Sequence, residues 1–275
     1  MTAGSPLGWV LAGTILLTIV LAWALLRNTE FERGIASDIA QVSGTSTTIT
    51  APRLPKIVSD FALRNGGSTG REKPIQLEHR AMLTVDRDRP PISVRAEQWL
   101  SPTHSAIAWV GRGGMFGIPV TVIDSFVAGR GRLEARLLGT LKVAGGSGPD
   151  FDKGELQRYL SELPVHPDAI LNNGALHWEQ LDGRTVEVTA ESGTGRASVM
   201  FMFDADGDIV GMLAPDRPMS VDVGTVPTKW RGSYAEYRHV GAYRIPTHGE
   251  VGWEFPDGLF TYWRGDIVAY DGTRP

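Results

Sequence analysis

The sequence predicts a mainly β (α+β) fold. A curved antiparallel, half-barrel-like sheet with one or two short helices follows one hydrophobic helix that crosses a membrane. Three observations predict it. Residues 1–26 carry no charged side chain and contain the apolar run Leu7–Leu26. From residue 75 onward apolar and polar residues alternate with period two, the signature of strands with one dry and one wet face. The chain holds 33 glycines and 17 prolines, and Asp182-Gly183, Asp206-Gly207, Val240-Gly241 and Asp257-Gly258 separate the alternating runs as hairpin turns do.

The run Leu7–Leu26 is 20 residues long. At 1.5 Å per residue a helix of that length spans the roughly 30 Å hydrocarbon layer. Trp9 and Trp23 stand near its ends, where indole rings favour the interface. Ala22-Trp23-Ala24 loosely fits a signal-peptide cleavage site. The start MTAGSP, however, lacks a positive n-region, and the apolar run exceeds the usual 7–15 residues, so an uncleaved anchor is expected. The predicted organisation is a transmembrane anchor over 1–30, a juxtamembrane stalk over 31–50 and one antiparallel β domain over 51–275. Ile35, Ile39 and Val42 would continue a short helix through the stalk.

Leu54, Ile57, Val58 and Phe61 repeat at i, i+3, i+4, i+7 and predict a short amphipathic helix, ended by Gly66-Gly67. Strands are then expected over 75–85, 105–112, 118–128 and 132–143. Asp152 and Glu155 form a capping box ahead of a helix carrying Leu156, Tyr159, Leu160 and Leu163, closed by Pro164 and Pro167. Further strands are expected over 176–181, 185–190, 196–204, 208–215, 230–239, 243–255 and 259–270. In 197–203 the alternate residues Met200 and Met202 are apolar too, so cover on both sides is expected there.

Composition removes several function classes. The net charge is -4 and Lys/Arg do not cluster, which speaks against nucleic acid as a partner. The absence of cysteine excludes disulfides, thiolate metal sites and cysteine nucleophiles. Asp204-Ala205-Asp206-Gly207-Asp208 has its glycine in the wrong position for a calcium loop and reads as a hairpin turn. Gly111-Arg112-Gly113-Gly114 and Gly129-Arg130-Gly131 precede no helix pattern and read as turns rather than phosphate loops, with Arg130 a possible anion contact. The six histidines form no metal-ligand pair, and His79 reads as a satisfied core histidine. No Gly-x-Ser-x-Gly elbow is present. No catalytic residue, metal ligand or cofactor is therefore assigned. Asp124 and Glu250 fall within strands, and Glu250 is expected to pair with Arg264 across strands. The aromatic residues read most simply as core packing. Their functional reading is the wall of an apolar groove, for which Trp109, Phe126, Tyr159, Trp178, Phe201, Tyr243 and Trp253 are the candidate lining.

The segments GRGRLEARLLG (129–139), GELQRYLSELP (154–164), HPDAIL (166–171), TVEVTAESG (185–193), FDADGDI (203–209), VPTKWRG (226–232), YRHVGAYRIPTHGEVGW (237–253) and YWRGDI (262–267) resemble an uncharacterised bacterial family, a domain of unknown function. Where that family has Trp after Pro164, this chain has Val165 and His166. The strand order and the Tyr-Arg … Gly … Ile-Pro hairpin are similar in shape to lipoprotein carriers of the LolA/LolB type. That likeness implies a half-barrel with a helix lining an apolar groove that holds acyl chains. It also implies an extracytoplasmic domain on a bacterial cytoplasmic membrane, and it outweighs Arg27 and Arg33, which by the positive-inside rule point to the cytoplasmic side. The expected function is a membrane-anchored, non-enzymatic domain that binds a lipid or other hydrophobic ligand, with the membrane held through residues 7–26. A structural module of an envelope complex is the first alternative. A hydrolase using Asp124, His166, His177 and Glu250 is the second.

Overall fold

A computed structural model of the chain describes residues 6–44, 51–115 and 117–275, with side chains described for 10–44, 51–114 and 117–275. The first element, α1 (Pro6–Val42), is a continuous helix of 37 residues. Its first part is exposed, with Val10, Ile15, Leu21, Trp23 and Leu26 all open. Among the described residues this is the one helix long and apolar enough to cross a membrane. Its last part is different. Phe31, Ile35 and Val42 are buried against Ala106, Ala108, Val110 and Ile123 of the sheet. Residues 31–42, expected as a stalk, are thus helix docked on the domain, and 45–50 lie outside the described residues. The helix α2 (Lys56–Arg64) buries Val58, Phe61 and Ala62, the face its spacing predicts.

Thirteen strands follow: β1 (Ile75–Leu83), β2 (Ile92–Leu100), β3 (Ile107–Met115), β4 (Ile118–Val127), β5 (Arg130–Leu137), β6 (Leu141–Ser147), β7 (His177–Gln180), β8 (Thr185–Glu191), β9 (Arg196–Phe203), β10 (Ile209–Ser220), β11 (Thr225–Val240), β12 (Tyr243–Phe255) and β13 (Gly258–Tyr270). They form one sheet in the order β6-β5-β4-β3-β2-β1-β13-β12-β11-β10-β9-β8-β7. Every pairing is antiparallel, and the seam is β1 on β13, from Leu77↔Tyr270 to Leu83↔Trp263. Two meanders are thereby joined through the first and last strands.

The segment between β6 and β7 crosses the concave side. It comprises α3 (Pro149–Ser161), a 3-10 turn (Leu163–Val165) and α4 (Pro167–Asn172). Leu156, Tyr159 and Leu160 enter one core with Phe126, Val188, Phe201, Met212 and Trp230. Because α3 packs on β4, β5 and β6 of one wing and on β8, β9 and β10 of the other, it fills the half-barrel.

Several local expectations are corrected. The run 132–143 is two strands, reversed at Leu138 (φ 51°) and Gly139 (φ 67°). The reversal keeps the alternation in phase, so the pattern alone does not reveal it. Strand β2 was not expected, since its inner face carries only Val94, Ala96, the buried Gln98 and Leu100. Gly111-Arg112-Gly113-Gly114 is not a turn but lies within β3; a Cβ on Gly111 would come 2.2 Å from the Trp109 ring, which lies across it. The helix start is Pro149, not Asp152. Asp152 is buried, accepting from the Gly131 amide (2.7 Å) and the Thr194 hydroxyl (2.9 Å), and so ties the two wings together. Pro167 opens α4 instead of only closing α3, as its preset φ allows at a first helical position. On β9, Ala197, Val199, Phe201 and Phe203 are buried while Met200 and Met202 are half-buried, so the outer face lacks the full cover expected.

Candidate ligand-binding cleft

Most of the expected lining residues pack into the core instead of around an open groove: Phe126, Tyr159 and Phe201 belong to it, Trp178, Tyr243 and Trp253 pack against it, and Trp109 stands in a separate cluster. Phe126, Tyr159 and Phe201 are fully buried core side chains. The Tyr159 hydroxyl is bonded by Asn173 Nδ2 at 2.9 Å. Trp109 stands opposite Asp124 and packs with Val94 and Ala96. Trp178 stacks on Phe201, with ring centroids 6.2 Å apart. Trp253 stacks on Tyr262 at 5.9 Å. Tyr243 donates to Asp168 Oδ2 (2.5 Å) and accepts from Arg71 Nη1 (2.6 Å) near α4. Arg130 is exposed at the turn before β5. None of these eight residues borders the cleft described next.

That cleft lies between the end of α3, the 3-10 turn and strands β1 and β10–β13. Val165, Met212, Trp230, Val251, Trp263 and Ile267 form its apolar walls, and His79, Arg158 and Glu162 its polar side. Gly232, Gly249 and Gly265 lie on its floor, one from each of β11, β12 and β13. A Cβ on Gly265 would come 2.3 Å from the Trp263 ring, so glycine lets the indole lie flat there. The free volume is about 50 Å³. That admits one or two water-sized groups, far less than the several hundred Å³ of a usual ligand pocket.

Charge is gathered at the polar side. Arg158 pairs with Glu162, one helical turn away, and Arg158 Nη2 donates to Gln98 Oε1 at 3.1 Å. Burial opposes the Arg158 charge, yet Glu162 beside it holds its pKa above the ordinary arginine value. Deeper in, Glu155 faces Asp124 and Arg217. Burial, and then the neighbouring Asp124 charge, push the Glu155 carboxyl well above the usual carboxylate range. Arg217 Nη2 reaches Glu155 Oε2 at 3.4 Å, and its guanidinium lies 4.2 Å from the centre of the Trp230 ring. Trp230 in turn donates to the Tyr262 hydroxyl at 3.0 Å.

His79 is on the inner face as expected, but it is not satisfied. It is 5% exposed, and among the described residues neither ring nitrogen has a partner. Burial, helped by the nearby Arg158 charge, pushes its pKa down to about 3. The four residues of the hydrolase reading stand apart. Asp124 is half-buried on β4 beside Glu155, and His166 is fully buried between the 3-10 turn and α4. His177 is exposed on β7. Glu250 accepts from Arg264 Nε at 3.1 Å across β12 and β13, the pairing the sequence predicts. Asp204-Ala205-Asp206-Gly207-Asp208 is a hairpin turn, with Asp208 bonded by Arg244 and Arg64, each at 2.7 Å. Among the described residues no three potential metal ligands gather.

The sequence reading passed over Arg158, Glu162 and the three glycines. The only available signal was the glycine spacing in THGEVGW and YWRGD, which places small residues on adjacent strands.

None of the curated proteins matches the chain. Among solved structures it is similar to a LolA superfamily protein from Nitrosomonas europaea, at 9% identity and a TM-score of 0.40, covering 79% of this chain and 91% of that one. It is also similar to a DUF1329 family protein from Desulfovibrio piger, at 12% identity and a TM-score of 0.42, covering 82% and 93%. Residues 45–265 match the model of a family of unknown function, DUF6544, and the chain belongs to that family.

Proposed function

Taking the chain as a member of DUF6544, we propose that it is a membrane-anchored, non-enzymatic domain that binds an amphiphile, a lipid or another hydrophobic molecule with a polar head. The apolar part enters between the helical segment 149–172 and strands β10–β13, and the head meets Arg158 and Glu162. The observation that carries this reading is the split lining of the cleft, six apolar side chains beside a largely buried Arg–Glu pair and the buried His79. Burying acyl carbon there would supply about 0.8 kcal/mol per CH₂. The small free volume requires the helical segment to lift away from the sheet as the chain enters. Gly148 (φ 110°), directly before α3, supplies the hinge, while the buried Asn173, bonded to Tyr159 and Ser105, holds the far end in place. Residues 7–26 hold the domain at the bilayer.

Photocrosslinking tests the reading. The full chain, reconstituted in nanodiscs, is exposed to a fatty acid with a diazirine in its tail, and labelled peptides are mapped. Adducts on peptides carrying Val165, Met212, Val251 and Trp263 are expected, competed by unlabelled fatty acid. Adducts confined to residues 7–26 would sink the proposal. An interaction module is favoured instead by one observation, the dense filling of the half-barrel by α3. A chain that takes no tail label but co-purifies with a defined protein would support that second reading.

A further inference from the structure

We propose that the end of the sheet beside α1 is itself a membrane-contact surface. Leu138 in the β5–β6 turn, with Ile118 and Leu141 at the adjoining strand ends, would rest in the bilayer interface, with Val143 at its margin. The inference rests on the anchored reading of α1 and adds a second point of attachment to it.

The argument begins with how α1 lies on the domain. Asp38 accepts from Ser125 Oγ at 2.9 Å and from Arg132 Nη1 at 3.1 Å. Eleven residues earlier, the Arg27 carbonyl accepts from Arg136 Nη1 at 3.2 Å. The helix, followed backwards, therefore runs across the outer face of β3 and β4 alongside Arg132 and then Arg136 of β5, and leaves at the Arg136 end. Leu26, the last residue of the apolar run, is 71% exposed. Arg27 and Arg136 therefore lie together in the polar interface, with the hydrocarbon layer beginning just beyond them.

Leu138 is two residues beyond Arg136, a reach of about 7 Å along an extended chain. The polar interface of a bilayer is itself about 5–8 Å deep on each side. Leu138, further along in the direction of the exit, therefore reaches the hydrocarbon side of that layer. The Leu138 amide donates to the Pro119 carbonyl at 2.9 Å, which ties the β5–β6 turn to the β3–β4 turn and brings Ile118 alongside. Leu138 is 62%, Leu141 56%, Val143 46% and Ile118 42% exposed.

Leu138 also occupies a left-handed position (φ 51°) directly before Gly139 (φ 67°). Two-residue hairpin turns with both centres left-handed favour Asn-Gly or Asp-Gly, and leucine there costs about 1–2 kcal/mol. A water-facing turn gains nothing from that choice, whereas a turn in the interface gains apolar burial. The β10–β11 turn offers an internal contrast. Val223 is exposed there too, but Thr225 bonds Asp150 at the start of α3, and Asp152 bonds Gly131 at the opposite end of β5. That turn lies away from the exit of α1.

The chain has no cysteine, so single-cysteine labelling is direct. The full chain carrying Ile15→Cys, Ile118→Cys, Leu138→Cys, Leu141→Cys or Val223→Cys is labelled with nitrobenzoxadiazole and reconstituted in phosphatidylcholine vesicles. Quenching by shallow spin-labelled lipid is compared with quenching by aqueous iodide. The expected result is deep burial at residue 15, several-fold stronger lipid than iodide quenching at 118, 138 and 141, and the reverse at 223. If residue 15 is in lipid while 118, 138 and 141 behave as 223 does, the contact surface is overturned and the anchor stands. If residue 15 is itself quenched by iodide, the anchored reading fails and takes this inference with it.

Discussion

His79 shows how one buried side chain links the fold to pH. In the unfolded chain a histidine titrates near 6.5. His79 and His166 are both buried, and burial pushes each down to about 3. Between those values the unfolded chain binds protons that the folded chain does not. The stabilisation is therefore present above pH 6.5 and lost progressively as pH falls toward 3. Each histidine contributes at most about 1.4 kcal/mol per pH unit to that slope. His248 acts in the opposite sense. Its bond to Asp266 (2.7 Å) holds its pKa above 6.5, so its smaller contribution is present below 6.5 and fades as pH rises through the folded value. Urea midpoints between pH 6 and 4 check this. In His79→Gln the pH slope should drop by up to about 1.4 kcal/mol per unit. An unchanged slope would show that His79 is protonated in the folded protein. Spacing placed His79 on the inner face, but the lack of a ring partner comes from neighbours on α3 and β13 that no local pattern reveals.

The second half of α1 behaves as part of the domain at the scale of elements. Phe31 is buried, its ring lying 4.5 Å from the Arg136 guanidinium and 5.9 Å from that of Arg132. Asp38 holds Ser125 and Arg132. Taking this stretch away would uncover Ala108, Val110 and Ile123 on the outer face of β3 and β4, and Ala106 just before β3. A chain beginning at residue 27 should therefore remain monomeric by sedimentation, while one beginning at residue 51 should self-associate. Equal behaviour of the two would mean that the docking of 31–42 contributes little. Within the full chain, Phe31→Ala should cost about 3 kcal/mol, the usual range for a buried aromatic reduced to alanine. The sequence already showed Ile35, Ile39 and Val42 at helical spacing. What they pack on was hidden, because Ala108 and Val110 belong to a strand whose two faces are both apolar, and Ala106 directly precedes it.

The whole molecule depends on the seam between its first and last strands. β1 on β13 is the one junction of the two meanders within the sheet, and it joins residues nearly two hundred positions apart, such as Leu77 and Tyr270. Ile267→Pro would put a residue with no N–H into the middle of that ladder, opposite His79, and lower the stability. Because α3 packs on both wings, the loss should appear as one lowered melting transition rather than two. Two separate transitions would show that the wings fold independently. The antiparallel β architecture, most strand positions, the amphipathic helix over 56–64 and the apolar helix were legible in the sequence. Period-two and 3.6-residue spacing are local consequences of placing one face in a core, and they survive in the linear order of residues. The tertiary structure alone decided that the half-barrel is filled by α3. It alone split 132–143 at Leu138, docked 31–42 on the sheet and brought Arg158, Glu162, His79 and Trp263 around one cleft. Those outcomes depend on strand order, curvature and the phase of turns, which join residues far apart and leave no periodic trace in either partner.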